Sequence, residues 1–280
     1  MRAFEEHFTG EAGIDIRWKS WLPDGDPKAI VVVAHGFGEH IARYMNLVNA
    51  ATGRGLGVFG PDHRGHGTSG GVRAYIDKHE YLLDDLDQVF ARVATEHPGL
   101  PVFLIGHSMG GNIALASALR NPGRLSGLVL SGPAVTTHGV SKGLMIVARI
   151  LARIVPKFGV RQLSSAGVSR DPAVVAAYDA DPLVFHGKMP AGTGWALLRT
   201  SKEFPARLPG LKLPLLVVHG SADALVSVES GKTAHALAGS ADKTLKVYDG
   251  LFHEVFNEPE HETVLADVLN WVDARIGPAA

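Results

Sequence analysis

The chain has 280 residues, 46% of them hydrophobic and 20% charged, a balance that excludes wholesale disorder and supplies enough apolar side chain for a large buried core. With 27 Lys and Arg against 28 Asp and Glu, the formal charge is -1, which leaves no basic field to gather nucleic acid. There is no cysteine, so disulfides, thiolate nucleophiles and cysteine-held zinc are excluded, and any nucleophile must carry oxygen or nitrogen.

In chain order, Met1 to His7 carries early acids and no apolar run, unlike a secretory leader or a membrane anchor; the expectation is a cytoplasmic protein, at most peripheral at membranes. Phe4 to Thr9 and Ile14 to Trp21 alternate polar and apolar residues on either side of Gly10, the pattern of an antiparallel hairpin. Short apolar runs then recur at Ile30 to Ala34, Gly57 to Phe59, Val102 to Ile105, Gly127 to Leu130, Leu215 to Val218 and Leu245 to Tyr248. Most lack alternation, as expected of strands buried on both faces. Helical patterns such as Tyr81 to Glu96 and Asn112 to Arg120 lie between them, and this β/α rhythm predicts a mostly parallel, doubly wound α/β sheet.

The rhythm breaks from about Pro133 to Pro214, where helical segments are punctuated by Pro and Gly without a convincing buried strand. The expected organisation is a core at 1–134, a helical cap at 135–210 and a second part of the core at 211–280, with Pro205, Pro209 and Pro214 marking the return. The longest apolar stretch, Gly143 to Val155, is interrupted by Arg149 and Arg153 and is too short to span a bilayer.

Three serines stand in a G-x-S-x-G pattern: Ser69, Ser108 and Ser141. Only Ser108 directly follows a buried-strand pattern and directly precedes an apolar helix. That context is the nucleophile elbow of the α/β-hydrolase fold, in which a strained turn lifts the hydroxyl above the sheet and small flanking residues relieve crowding. A serine hydroxyl needs a base to take its proton and a carboxylate to orient that base. In this fold the partners follow the serine in the order acid, then histidine, each beyond a strand end. Asp223, after the strand at Leu215, and His253, after the strand at Leu245, satisfy the order; Asp249 is the rival acid, although with Gly250 it also reads as a turn residue. His235 and His261 lie in helical patterns and read as solvated. The oxyanion formed on attack needs amide donors, and Phe37, in His35-Gly-Phe-Gly38, and Met109, next to the nucleophile, stand where the fold supplies them. The acid and histidines of Asp62-His-Arg-Gly-His-Gly67 form a structured loop in this reading rather than a metal site; no cofactor or metal is expected.

The segments HGFGEHIARY from His35, DHRGHGTSGG from Asp62, GHSMGG from Gly106, YDADPL from Tyr178, HGSAD from His219 and YDGLFHE from Tyr248 together resemble the monoacylglycerol lipase family of α/β hydrolases, over most of the chain and least in the cap. The resemblance implies hydrolysis of a monoacylglycerol to fatty acid and glycerol, oxyanion amides from Phe37 and Met109, and a glycerol end near Glu39, Arg43 and Tyr178. Animal members carry a second histidine three places after the catalytic one, where this chain has Phe256, and reactive cysteines, of which it has none.

From Lys142 to Lys157 a helical wheel sets Lys142, Arg149, Arg153 and Lys157 in one stripe opposite Leu144, Val147, Leu151, Ile154 and Val155. The apolar face suits either the wall of an acyl-chain tunnel or an anionic lipid surface, and both imply a lipid ester substrate. A lysophospholipase or general carboxylesterase on the same scaffold, and a catalytically silent lipid receptor, are the competing functions. Oligomeric state is not legible.

Overall fold

In the computed structural model of the chain, which describes residues 1–277, one eight-stranded sheet organises the molecule. The elements in chain order are β1 (Arg2–Thr9), β2 (Asp15–Leu22), β3 (Ala29–Ala34), α1 (Met45–Gly53), β4 (Leu56–Pro61), α2 (His79–Glu96), β5 (Val102–His107), α3 (Met109–Arg120) and β6 (Gly127–Ser131). There follow α4 (Lys142–Ile154), β7 (Gly159–Arg161), α5 (Pro172–Ala180), β8 (Met189–Pro190), α6 (Ala191–Arg207), β9 (Leu215–Gly220), α7 (Val228–Leu237), β10 (Lys243–Tyr248) and α8 (His261–Asp273). Short 3-10 turns join several of them.

The sheet runs β1-β2-β4-β3-β5-β6-β9-β10. Strands β4 to β10 in that order pair in parallel, while β2 is antiparallel to both β1 and β4. The hairpin is therefore an appendage at one edge of a doubly wound sheet. The lack of alternation in the central strands has its cause in two cores. Val32, Leu104, Leu128 and Val217 pack against α2, α3 and α7 on one face, while Val31, Ile105, Val129 and Leu216 pack against α1 and α8 on the other. A strand covered on both sides has no polar face to show.

Between β6 and β9 the chain leaves the sheet for α4, α5 and α6 and a two-stranded β7–β8 ladder absent from the sequence expectation. Helix α4 also differs from the expected run to Lys157. Its N-cap is Ser141, whose hydroxyl accepts from the Leu144 amide at 3.2 Å, but it stops at Ile154. Pro156 is the cause, since the residue before a proline is pushed out of helical geometry, and Val155 has φ -135° and ψ 62°. Lys157 thus leaves the basic stripe, and its ammonium sits 5.7 Å from the Tyr75 ring centroid. Among the described residues no helix is long and apolar enough to cross a membrane.

Candidate active site

Strand β5 ends in a turn that holds Ser108 at φ 54° and ψ -115°, a conformation costly for a residue with a Cβ. Main-chain bonds enforce it: the Ser108 amide donates to the Ser131 carbonyl at 2.9 Å, and the Ser108 carbonyl accepts from Ala134 at 3.1 Å. Gly110 is required because a Cβ there would lie 1.9 Å from the Ala34 carbonyl oxygen. The other two serines of the same pattern are otherwise engaged. Ser141 caps α4, and the Ser69 hydroxyl donates to the Asp62 carbonyl at 2.6 Å while accepting from the Arg17 amide at 2.8 Å.

His253 and Asp223 meet across 30 residues of sequence, with 2.6 Å between His253 Nδ1 and Asp223 Oδ2. A carboxylate only accepts, so Nδ1 carries the proton and donates, and Nε2 is left with a free lone pair. The other carboxylate oxygen accepts from the Leu225 and Val226 amides at 2.8 and 2.9 Å. His219, buried at the end of β9, adds its Nε2 at 3.2 Å from Asp223 Oδ2 and 3.0 Å from the Val226 carbonyl. Burial alone would raise the Asp223 carboxyl, but the bonds from His219 and His253 outweigh it and hold the group below the usual carboxylate range. Asp249, by contrast, takes a bond from the Ser221 hydroxyl at 3.1 Å in an exposed turn.

The His253 ring packs 4.5 Å from His107, centroid to centroid. Burial, reinforced by His253, pushes the His107 imidazole well below its ordinary range. Gly132 lies under the pair: a Cβ there would come within 3.2 Å of His253 Nδ1 and 3.4 Å of Asp223 Oδ2, and its φ is +48°. His107, His219 and Gly132 carry no signal in the sequence beyond flanking the recognised motifs.

Ser108, Met109, Phe37 and His253 border one cavity of about 490 Å³, whose far walls are Leu144, Val147 and Leu151 of α4 and Trp195 and Leu198 of α6. A smaller cleft of about 240 Å³ shares Phe37 and Leu163 with it and is lined by Gln162, Ser165, Tyr178, Asp179 and His186. Tyr178 therefore reaches a cleft, whereas Glu39 and Arg43 border neither. Arg43 is pinned between Glu39, 3.4 Å from its Nε, and Glu254, 2.6 Å from a terminal nitrogen, and its guanidinium covers the Tyr178 ring at 4.6 Å. Glu254 is a participant that sequence reasoning missed, since nothing marks it but its place after His253.

The Asp62 loop is tied internally. Asp62 accepts from the Ile41 amide at 2.9 Å and the Thr68 amide at 2.8 Å, and Arg64 grips Asp85 through two bonds of 2.8 Å. His66 packs edge-on against Phe37 at 5.6 Å, so this loop supports the wall of the site.

Comparison with known proteins identifies the family. The family model described as "Serine aminopeptidase, S33" matches residues 25–260. A monoacylglycerol lipase of Mycolicibacterium smegmatis is 46% identical over 273 residues, covering 97% of this chain and 98% of that protein. Human monoglyceride lipase is 35% identical over 277 residues, 98% of this chain and 91% of that one. The crystal structure of Paleococcus ferrophilus monoacylglycerol lipase superposes with a TM-score of 0.82 at 27% identity, over 98% of this chain and all of the other. The chain is a carboxylic ester hydrolase of the α/β-hydrolase fold and belongs to the monoacylglycerol lipase family.

Proposed function

We propose that the enzyme hydrolyses monoacylglycerols to fatty acid and glycerol through an acyl-enzyme on Ser108. In this reading His253 Nε2 takes the Ser108 proton as the hydroxyl attacks the ester carbonyl, and Asp223 stabilises the imidazolium that results. The amides of Phe37 and Met109 receive the oxyanion; Met109, as the first residue of α3, has no intrahelical acceptor for its N–H. His253 then returns the proton to the departing glycerol oxygen, and water repeats the cycle on the acyl-enzyme.

The observation that carries the substrate assignment is the pair of unlike spaces meeting at Phe37. The larger, mostly apolar cavity suits an acyl chain, and the smaller, polar cleft suits a hydroxylated alcohol. The cleft's lining includes Asp179 and neither lysine nor arginine, chemistry that favours a neutral polyol over the phosphodiester of a lysophospholipid. Tyr178 is the residue we assign to the glycerol end.

Residues 135–210 act as the cap over this site. Helix α4 lines the cavity with Leu144, Val147 and Leu151 and still leaves apolar surface open to solvent: Leu144 and Val147 are exposed at the cavity's edge, and Ile146, Ile150 and Ile154 stand outside it, Ile154 at 72% exposure. With exposed Arg149 and Arg153 alongside and Phe158 62% exposed, this edge suits peripheral contact with a lipid surface from which the substrate enters. Hydrolysis of a long-chain monoacylglycerol, a short-chain ester and a lysophospholipid in parallel tests the assignment. The expected order puts the monoacylglycerol highest in kcat/KM; a preference for either of the others would overturn it.

A further inference from the structure

One of the two oxyanion donors belongs to the Gly36–Phe37 peptide, whose N–H must point at the reacting carbonyl. A trans peptide is planar and its C=O and N–H point in opposite directions, so whatever holds the Gly36 carbonyl also aims the Phe37 amide. That carbonyl lies 2.8 Å from His35 Nδ1. A carbonyl oxygen only accepts, so Nδ1 is the protonated nitrogen, and the tautomer is locked from the far side of the ring, where Nε2 accepts from the His63 amide at 2.9 Å.

The preceding peptide is held separately. The Gly36 amide donates to Glu39 Oε1 at 2.5 Å, and the Tyr44 hydroxyl donates to the same oxygen at 2.7 Å. Glu39 is only 4% exposed. Its second oxygen faces Arg43, which Glu254 anchors from the other side, and Asn257 anchors Glu254 in turn at 2.8 Å. Both carboxylate oxygens of Glu39 are therefore directed at the protein.

We propose that His35 and Glu39 are positioning residues that clamp the two peptides flanking Gly36, fixing the direction of the Phe37 amide, and that Glu39 serves this loop rather than the glycerol. The inference rests on the reading of Ser108 and Phe37 given above. It has a consequence that a glycerol contact lacks. An oxyanion forms in acylation and deacylation of every ester, so a loosened clamp slows turnover whatever the alcohol.

The test compares two esters of the same acyl chain, a monoacylglycerol and a p-nitrophenyl ester whose leaving group has no free hydroxyls. Removing an oxyanion donor outright costs about 10²–10³-fold, so His35→Ala and Glu39→Ala, which misaim one donor, are expected to lower kcat by about 10–50-fold. The factor should be equal for both esters, with KM changed little. His35→Asn, whose amide nitrogen occupies the place of Nδ1, should recover most of the loss, whereas His35→Gln should not. Glu39→Gln keeps one acceptor oxygen for Gly36 and carries the test if the alanine variant fails to fold; its smaller loss should again be the same for both esters. A loss confined to the monoacylglycerol, a change in KM alone, or unchanged turnover would overturn the proposal. Ser108→Ala separates it from the parent reading: activity surviving that change refutes the serine mechanism, while abolished activity with unaffected clamp variants refutes the clamp alone.

Discussion

Replacing Asp223 with Asn removes one charge and forces a choice of orientation that the structure decides. One carboxylate oxygen accepts from the Leu225 and Val226 amides, so the asparagine must keep its carbonyl there. Its NH2 then occupies the place of Oδ2, facing His253 Nδ1 and His219 Nε2. An NH2 group donates, so the favoured His253 tautomer becomes the one with Nδ1 bare and Nε2 protonated. That nitrogen can no longer accept the Ser108 proton. The loss expected from a wrong tautomer is about 10⁴-fold in kcat, or about 5 kcal/mol of transition-state stabilisation. The fold should survive, because both loop amides keep their acceptor and His219 keeps the Val226 carbonyl; losing the charge-assisted bonds should cost about 1–3 kcal/mol of stability. Steady-state hydrolysis together with a urea titration measures both quantities. Asp249→Asn is the control, expected to stay within about twofold because its carboxylate serves only an exposed turn. Turnover by Asp223→Asn above one-tenth of wild type, or collapse in Asp249→Asn instead, would refute the reasoning.

Gly132→Ala should leave a folded protein with strongly reduced turnover, since the added methyl intrudes on His253 and Asp223 and the positive φ opposes it; wild-type kcat in a folded variant would count against the packing described. Acid stability follows from buried imidazoles. Burial holds His63 at about 3 and His66 and His79 at about 4, so between those values and about 6.5 the unfolded chain binds more protons. Stability is therefore full above about pH 6.5 and declines on acidification, by about 1.4 kcal/mol per pH unit for each histidine. Urea midpoints should fall from neutral pH toward pH 5 and fall less steeply in His79→Gln; a flat profile would contradict the burial argument. Replacing Ile146, Ile150 and Ile154 together with Glu should reduce hydrolysis of monoacylglycerol in vesicles at least tenfold, since burying each isoleucine is worth about 1.5–3 kcal/mol. Hydrolysis of a dissolved short ester should be unchanged, and equal loss on both would place these residues in the fold instead of at a lipid surface.

The sheet was legible because Ala29 to Ala34 and Leu215 to Gly220 are buried at every residue, and burial on both faces writes itself as an uninterrupted apolar run. Ladder β7–β8 was not legible, since three residues paired with two leave no periodicity to read. Wheel spacing alone overextends α4, because it carries through Pro156 while the proline forces Val155 out of helical geometry and ends the helix at Ile154. Within the site, Ser108, Asp223 and His253 stood out by motif and by position after strands. Their supports did not. Glu254 meets Arg43 from 211 residues away, and the tie between His35 and the Gly36 carbonyl is a matter of ring orientation. Such contacts are made by folding, and a lone sequence holds residue types without their directions.

Catalysis by this site requires that the imidazole of His253 make the Ser108 hydroxyl nucleophilic. Reaction with a long-chain fluorophosphonate, followed by intact mass and peptide mapping, reads that dependence. A single adduct on Ser108 is expected, absent from Ser108→Ala and formed at least a hundredfold more slowly in His253→Ala. An adduct on another residue, or labelling of Ser108 at the wild-type rate without His253, would contradict it.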